Sequence, residues 1–237
     1  MKSGNKVLII GGNQGIGNRL AKLYLYNGDQ VFATYSKLKP KNFTSKNISF
    51  LKLELNNHRK FMIFIKKLKK IKFDIVLFVS AVNANSKRIR KKYCIWGNLN
   101  IVEFAKMLSI NCFSHIKILE SMMKKKLLNS KAKMIFFSSL AGSIHNRGKL
   151  KHNKKGGDLI YRISKAALNV TVKNIAYDFS DTDYSIIAIH PGWVRTRDKN
   201  ADLSISYASK KIFNLINYLK SKDTGKFLNY DGRTIKW

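Results

Sequence analysis

Tyr161 and Lys165 lie four residues apart in a segment, Leu159–Asp178, whose apolar spacing predicts a helix. Residues at this spacing share one face of a helix. A phenol with a pKa of about 10 is a poor base near neutral pH, but a neighbouring ammonium group favours the phenolate. The pair therefore has the chemistry of a proton donor and acceptor. Because the chain contains 37 lysines, a surface pair without chemical function is the alternative.

A glycine-rich segment follows the first apolar run of the chain, Lys6–Ile10. Gly11, Gly15 and Gly17 precede a helical pattern, and a dinucleotide pyrophosphate binds backbone N–H groups at such a helix start only where no Cβ blocks its approach. The segment therefore predicts a cofactor loop. Its other candidate residues are Asn13, Gln14 and Ile16. The alternative is a tight strand-to-helix turn that binds no ligand.

The residues after the second predicted strand bear on the choice of cofactor. NAD-binding proteins place an acidic residue there to hydrogen-bond the ribose 2′-OH, and this chain has none. The stretch instead offers hydroxyl and ammonium groups to a 2′-phosphate, from Thr34, Tyr35, Ser36, Lys37 and, slightly later, Lys39. We expect NADP(H) in preference to NAD(H). Because lysine is frequent throughout this chain, the alternative is that Lys37 has no role in cofactor binding.

Strand-length apolar segments alternate with segments of helical period along the chain, as in βα units around a mostly parallel sheet. The predicted strands are Lys6–Ile10, Gln30–Tyr35, Ile48–Leu55, Phe73–Val79, Lys133–Ser138, Tyr184–His190 and Phe227–Tyr230. The predicted helices are Ile16–Tyr26, His58–Lys70, Leu99–Leu128, Leu159–Asp178 and Ile205–Leu219. We expect residues 1–237 to form a single α/β domain, a Rossmann-type doubly wound fold with about seven strands and helices on both faces.

The long helical segment Leu99–Leu128 contains a polar interruption. Ser109, Asn111 and Ser114 fall in its middle, so we expect two helices rather than one.

The charge of the chain is strongly unbalanced, with 46 basic against 13 acidic residues and a formal net charge of +33. Such a charge attracts nucleic acid or an anionic surface without specificity. The basic residues are mostly lysines spread along the chain, and no nucleic-acid-binding motif accompanies them. We therefore expect no specific nucleic-acid partner, and keep nonspecific association as an alternative.

Cysteine usage and hydropathy indicate the compartment. Cys94 and Cys112 form no C-x-x-C pair or Cys/His cluster, so neither a disulfide framework nor a metal site is expected. No apolar run approaches the length of about 18 residues that spans a membrane, and the first run is too short for a secretory signal. We expect a cytoplasmic protein without a membrane span.

Taken in chain order, the motifs resemble those of the short-chain dehydrogenase/reductase family over almost the whole chain. The glycine segment is followed by Ser138-Ser139-Leu140-Ala141-Gly142, then by Tyr161–Lys165, then by the segment Pro191–Thr196. The C-terminal segment Asp223–Trp237 resembles the C-factor-type branch of that family. The order of the motifs is more specific than any one of them.

The resemblance implies roles for particular residues. Ser139 would orient the substrate carbonyl, Tyr161 would transfer the proton, Lys165 would lower the pKa of Tyr161 and hold the nicotinamide ribose, and Asn111 would support the proton path. The remaining implied cofactor contacts are Glu54 and Leu55 near the adenine, Ser80 and Ala81 after the fourth strand, and Pro191, Gly192, Val194 and Thr196 beside the nicotinamide.

Three departures from the family pattern stand out. Ile10 replaces the threonine that usually begins the glycine motif, and Phe78–Ala81 lacks the asparagines of the usual turn. The interval from Ser139 to Tyr161 is longer than the family norm, and Ser143–Asp158 forms an inserted basic loop. We hypothesise that this loop recruits an anionic substrate; the alternative is an insertion without function.

The resemblance implies an NADP(H)-dependent oxidoreductase that interconverts a carbonyl and an alcohol on a small molecule that the sequence does not identify. The alternative is a cofactor-binding signalling or regulatory protein with little turnover. A homo-oligomer, dimer or tetramer, is expected through the long helices after the fourth and fifth strands.

Overall fold

A parallel seven-stranded sheet forms the centre of the fold in the computed structural model, which describes residues 4–40, 43, 45–68, 70–83, 94–149, 158–196 and 200–237. The strands are β1 (Lys6–Ile10), β2 (Gln30–Tyr35), β3 (Ile48–Lys52), β4 (Phe73–Phe78), β5 (Cys94–Ile95), β6 (Asn98–Leu99), β7 (Leu128–Phe137), β8 (Ser185–His190) and β9 (Phe227–Asn229). The order in the large sheet is β3-β2-β1-β4-β7-β8-β9, and every neighbouring pair in it is parallel. This confirms the predicted α/β class and doubly wound topology.

Helices cover both faces of the sheet. They are α1 (Gly15–Tyr26), α2 (His58–Lys67), α3 (Ile101–Leu108), α4 (Ser114–Lys124), α5 (Leu159–Asp178) and α6 (Ile205–Tyr218). The strands are apolar on both sides: in β1, Leu8 and Ile10 pack into the core that α2, α4 and α5 share, whereas Val7 and Ile9 pack into the core of α1 and α6. Near-continuous apolar strands are typical of a sheet that is buried on both faces.

The largest difference from the predicted elements is at the start of β7. We predicted a strand from Lys133, but β7 begins at Leu128, which pairs with Phe73 ahead of a register irregularity between Phe73 and Ile75. Asn129, Ser130 and Lys131 are polar, so the sequence pattern concealed the first half of this strand.

The polar interruption in the long helical segment is a single turn of π-helix. Residues Ser109–Phe113 form this turn, and it joins α3 to α4 without a break in the chain direction. Such turns insert one extra residue into a helix and often occur at functional sites. The two-helix expectation is therefore correct, although the boundary is a π-turn rather than a loop.

A small antiparallel hairpin, β5–β6, was not predicted. Its turn contains Gly97 with a φ of +85°. Within the described ranges, no helix is long and apolar enough to cross a membrane.

Candidate active site

The carboxyl ends of β1, β4, β7 and β8 lie at one edge of the sheet, as parallel pairing requires. β2 lies on one side of the β1–β4 pair, and β7 lies on the other side. The direction in which successive strands are added therefore reverses between β1 and β4. Ligands of open α/β sheets bind in the crevice at such a reversal of strand order. The segments that follow these strands therefore define the candidate site.

The glycine loop after β1 packs closely against the end of β4. Gly11 has a φ of +94°, and a Cβ on it would lie 2.4 Å from Ser80 Oγ. Gly15 has a φ of +56°, and the nearest atom to its Cβ position is Thr196 Cγ2 at 3.4 Å. The segments that follow β1, β4 and β8 therefore come together at this loop. The space beside Gly15 stays open. Gly17 lies against the Gly11 carbonyl oxygen, which its Cβ would approach to 2.1 Å.

Helix α1 begins at this loop with its N–H groups available. Gln14 precedes the helix and makes no side-chain capping hydrogen bond, and the first turn contains no acidic residue. Its positive end is therefore suited to an anion such as a pyrophosphate. The uncapped helix and the open side of Gly15 both fit a dinucleotide cofactor. Ile16 is buried beneath the loop.

Thr34 of β2 supports the glycine loop, a role that the sequence did not predict. The Gly11 N–H donates to Thr34 Oγ1 at 2.8 Å, and the Gly12 N–H donates to the Thr34 carbonyl oxygen at 3.0 Å. Thr34 is buried and its hydroxyl accepts from the loop, so the prediction that this hydroxyl contacts a 2′-phosphate is wrong. The neighbouring strand thus provides a hydroxyl that Ile10 cannot.

A cavity of about 430 Å³ lies beside the loop. Its described lining residues are Asn13, Gln14, Gly15, Asn18, Lys22, Pro40 and Phe43. Lys22 is the cation of that set, and its Nζ lies 5.5 Å from the centre of the Phe43 ring. The spacing of Gln14, Asn18 and Lys22, four residues apart along α1, could have identified this face.

The residues predicted to contact the adenosine part of the cofactor lie after β2 and β3. Tyr35 ends β2 half-buried, and Ser36 and Lys37 are exposed directly after it. The Glu54 carboxylate pairs with Lys60 of α2 at 2.5 Å, and this hydrogen bond lowers its pKa. The Leu55 carbonyl oxygen accepts a hydrogen bond from Ser114 Oγ at 2.9 Å. Glu54 is thus committed to an ion pair within the fold.

Two consecutive serines end β7, and the structure separates their roles. Ser138 is buried, and its hydroxyl donates to Asn169 Oδ1 at 2.5 Å. Ser139 keeps part of its surface exposed, and its hydroxyl lies close enough to the Tyr161 phenol to lower the pKa of that phenol. Ser139 Oγ also accepts from the Ala141 N–H at 3.1 Å, at the start of a 3-10 turn, Leu140–Gly142. Of the two serines, Ser139 is therefore the one beside Tyr161.

Lys165 lies one turn after Tyr161 on α5 and is 1% exposed. Its Nζ donates to the Phe137 carbonyl oxygen at 2.7 Å and lies 5.9 Å from the centre of the Tyr161 ring. Burial lowers the pKa of Lys165 to about 8. The alternative of a surface pair without chemical function is therefore wrong, because Lys165 is buried.

The pKa of Tyr161 lies above its ordinary value rather than below it. Enclosure of the phenol raises the pKa, the Ser139 hydroxyl opposes this change, and the charge of Asp158 adds to it. The lowering by Lys165 that the sequence predicts is not seen: Lys165 Nζ donates to the Phe137 carbonyl oxygen and lies 5.9 Å from the centre of the Tyr161 ring. Desolvation of the phenol is the largest effect on its pKa.

Asn111 lies in the π-turn and is fully buried. Its side-chain Oδ1 accepts from the Val82 N–H at 2.7 Å, and its Nδ2 donates to the Val82 carbonyl oxygen at 2.8 Å and to Ser164 Oγ at 3.0 Å. Ser164 in turn donates to the Tyr161 carbonyl oxygen. Asn111 therefore fixes the segment after β4 against the helix that carries Tyr161.

The segment after β8 folds over the glycine loop. Val194 pairs with Leu203, and the Thr196 N–H and hydroxyl both contact the Val194 carbonyl oxygen, at 2.6 and 3.4 Å. Gly192 has a φ of +85° next to Leu203. Pro191 leads into this segment, and the exposed Ala81 follows Ser80 on the opposite side of the loop.

His190, which precedes Pro191, has a pKa that burial lowers to about 4. It is therefore neutral near pH 7. Among the described residues, no group of three or more His, Cys, Asp or Glu side chains is placed to hold a metal ion.

Comparisons with known proteins agree with this geometry. The family model for short chain dehydrogenase matches residues 5–204. An uncharacterized oxidoreductase of Saccharomyces cerevisiae is 29% identical, with 94% of each chain covered. C-signal of Myxococcus xanthus is 25% identical over 65% of this chain and 90% of its own. Among solved structures, the carbonyl reductase Sniffer of D. melanogaster superimposes with a TM-score of 0.82 at 26% identity, with 98% of this chain and 99% of that chain covered.

Proposed function

This chain belongs to the short-chain dehydrogenase family and is an NAD(P)-dependent oxidoreductase, and from that premise we propose that it interconverts a carbonyl and an alcohol on a small molecule with NADP(H). The observation that carries the proposal is the placement of Ser139 beside Tyr161, with buried Lys165 one helical turn away, at the same sheet edge as the glycine loop. Similarity to a carbonyl reductase supports the reaction class.

Each residue of this group has a task in the proposed reaction. Tyr161 donates a proton to the carbonyl oxygen during reduction and accepts it during oxidation. Ser139 donates a hydrogen bond to the same oxygen, which gains negative charge in the transition state. Bound cofactor supplies or accepts the hydride. Lys165, whose pKa is about 8, is largely protonated at neutral pH and holds the nicotinamide ribose through its ammonium group.

The preference for NADP(H) is supported by the residues that follow β2 and by one cation that lines the cavity. Ser36 and Lys37 follow β2 where an acidic residue would favour NAD(H), and Lys22 lines the cavity from α1. The glycine loop and the start of α1 would hold the pyrophosphate, and Val194 and Thr196 would hold the carboxamide. Nothing in the comparisons favours a signalling protein without turnover over this enzyme.

Cofactor binding is the first test. Nicotinamide fluorescence is followed while the protein is titrated with NADPH and with NADH at moderate salt. We expect NADPH to bind more tightly than NADH, and Gly15→Asp to abolish both, because a side chain is strained at a φ of +56° and its carboxylate repels the pyrophosphate. No binding of either cofactor to the wild type would remove the proposed function.

The adjacent serines give a matched pair of variants for the second test. We expect Ser139→Ala and Tyr161→Phe to lower kcat on a panel of aldehydes and ketones by about 100-fold or more, with NADPH affinity retained. Ser138→Ala should instead lower the free energy of unfolding by about 1 kcal/mol through its lost hydrogen bond to Asn169 and leave kcat nearly unchanged. Equal kcat losses from both serine variants would contradict the proposed role of Ser139.

A further inference from the structure

Arg162, the residue after Tyr161, is a buried cation that neither the sequence analysis nor the proposed reaction uses. It is 8% exposed, and its Nε and Nη2 are buried without a hydrogen-bond partner in the described part of the chain. A buried ionised group without a partner is costly, so such groups are normally paired or bind a ligand.

The two unpaired donors are the adjacent edge of the guanidinium fork. Nε–H and Nη2–H point in nearly the same direction, with the spacing of the two oxygens of a carboxylate or a phosphate. Arginine is suited to this bidentate contact because its donors are held in one plane.

The segment that follows Ser139 carries further basic residues, of which Arg147 acts on Arg162. The charge of Arg147 acts on the Arg162 guanidinium and lowers its pKa, in addition to the larger effect of burial. Lys149 Nζ lies 3.0 Å from His145 Nε2, and Lys236 also acts on this histidine. The like charges of Arg147 and Arg162 repel each other, and a bound anion would relieve this repulsion.

One acidic group, Asp158, acts on Arg162. Asp158 raises the pKa of Arg162, and its Oδ1 accepts from the Tyr161 N–H at 3.1 Å as the cap of α5. It does not pair with Arg162 Nε or Nη2, which are left without a hydrogen-bond partner in the described part of the chain.

The chain end holds the cationic segment against the core. The His145 N–H donates to the Trp237 oxygen at 3.0 Å, and Ser143 Oγ donates to the Lys236 carbonyl oxygen at 2.6 Å. The 3-10 turn before this segment packs on α5 so closely that a Cβ on Gly142 would lie 2.6 Å from the Lys165 carbonyl carbon. The cations are thus fixed next to the helix that carries Tyr161 and Arg162.

We infer that Arg162, with Arg147 beside it, binds an anionic group of the substrate, so that the enzyme acts on carbonyl compounds that carry a carboxylate or a phosphate. This inference rests on the proposed function and narrows its substrate class. It also assigns the recruitment of an anion to one buried arginine, where the sequence indicated only an inserted basic loop.

A matched pair of aldehydes tests the inference. Reduction by NADPH is measured for 4-carboxybenzaldehyde and for its uncharged methyl ester, with 4-formylphenyl phosphate as a third arm that distinguishes phosphate from carboxylate. We expect a higher kcat/KM for at least one anionic aldehyde than for the ester. Arg162→Met should raise KM for that aldehyde about tenfold or more and leave KM for the ester unchanged.

Arg59→Met, on the exposed surface of α2, is the control for loss of one positive charge and should change neither KM. Arg147→Met is the second variant, because Arg147 is exposed and its replacement preserves the fold if Arg162→Met does not. Equal KM values for ester and anions in the wild type, or equal effects of Arg147→Met on all three aldehydes, would overturn the inference.

A binding measurement separates this inference from the proposed function. Titration calorimetry with 4-carboxybenzaldehyde and its ester requires no turnover. Binding of the carboxylate alone, lost in Arg162→Met, would support the anion site even if no aldehyde were reduced. Reduction of the ester that depends on Tyr161, without preferential binding of either anion, would retain the proposed function and reject the anion site.

Discussion

Lys165 shows how much the environment of one side chain can change its chemistry. Its ammonium group is removed from water and is held by one carbonyl oxygen, that of Phe137. Because burial penalises the charged form, its pKa falls from an ordinary value near 10.5 to about 8. A group whose folded-state pKa is lowered in this way destabilises the fold wherever both states are protonated.

This burial makes a prediction about stability and pH. Below about pH 8 the folded and unfolded states both bind the Lys165 proton, and the full cost of the buried charge is present. Between about pH 8 and 10.5 only the unfolded state keeps the proton, so stability rises with pH. We expect the advantage of Lys165→Met over the wild type, in free energy of unfolding, to fall by about 3 kcal/mol across that window.

Urea unfolding at a series of pH values measures this difference. Lys210→Met, at an exposed position of α6, is the control for loss of a surface lysine. A difference between wild type and Lys165→Met that stays constant from pH 7 to 10.5 would contradict the lowered pKa.

Individual site residues were predicted unevenly from the sequence. The spacing of Tyr161 and Lys165 placed both on one helix face, and the order of motifs selected Ser139 over Ser138, with which the structure is consistent. The direction of the Tyr161 pKa was wrong, since a spacing rule contains no information about burial. Arg162 was not singled out, because only the packed structure shows that its donors lack partners.

At the scale of elements, β2 compensates for a change in β1. The glycine motif lacks the threonine usual in its family, and Ile10 stands there instead. The Thr34 hydroxyl reaches across from β2 and accepts the Gly11 hydrogen bond at 2.8 Å. The loop is therefore held by a contact between two strands rather than by its own sequence.

This contact predicts that Thr34→Val weakens both the fold and cofactor binding. The partly buried Gly11 N–H would lose its acceptor, at a cost of about 1 kcal/mol in the free energy of unfolding. We expect the Kd for NADPH to rise several-fold as the loop loosens, measured by fluorescence titration. Thr34→Ser keeps the hydroxyl and should retain most of the affinity. Equal Kd values for the valine and serine variants would show that the hydroxyl is not needed.

Element boundaries follow from the sequence where apolar runs end at glycine or at a capping residue. β1, β2 and α5 have the predicted bounds, and Asp158 caps α5. The hairpin β5–β6 is only two residues per strand, too short for a periodic signal. The first half of β7 is polar because it lies at the edge of the core, so long-range pairing with β4 rather than local pattern determines it.

The net charge of the whole molecule, +33, opposes association between copies of the chain. Two copies of such a chain repel each other, so stable association requires a face that contributes apolar area. Phe113 and Val170 are 58% and 57% exposed. They flank the contact between Cys112 Sγ and Thr171 Oγ1, 3.8 Å apart, where the π-turn meets α5. Exposed Ile101 and Val102 begin the helix that leads into the same turn.

We therefore expect the face around Phe113 and Val170 to join two copies of the chain. Burying a glutamate carboxylate without a partner costs more free energy than the contacts of one interface residue contribute. Val170→Glu should therefore convert the oligomer into a monomer. Multi-angle light scattering at several protein concentrations measures the mass.

Tyr218→Glu, at an exposed position near the end of α6, adds the same charge elsewhere and should leave the mass unchanged. Since added glutamate lowers the net positive charge in both variants, general repulsion predicts tighter association in both. Dissociation in Val170→Glu alone therefore locates the interface, whereas a wild type that is monomeric at every concentration would exclude it.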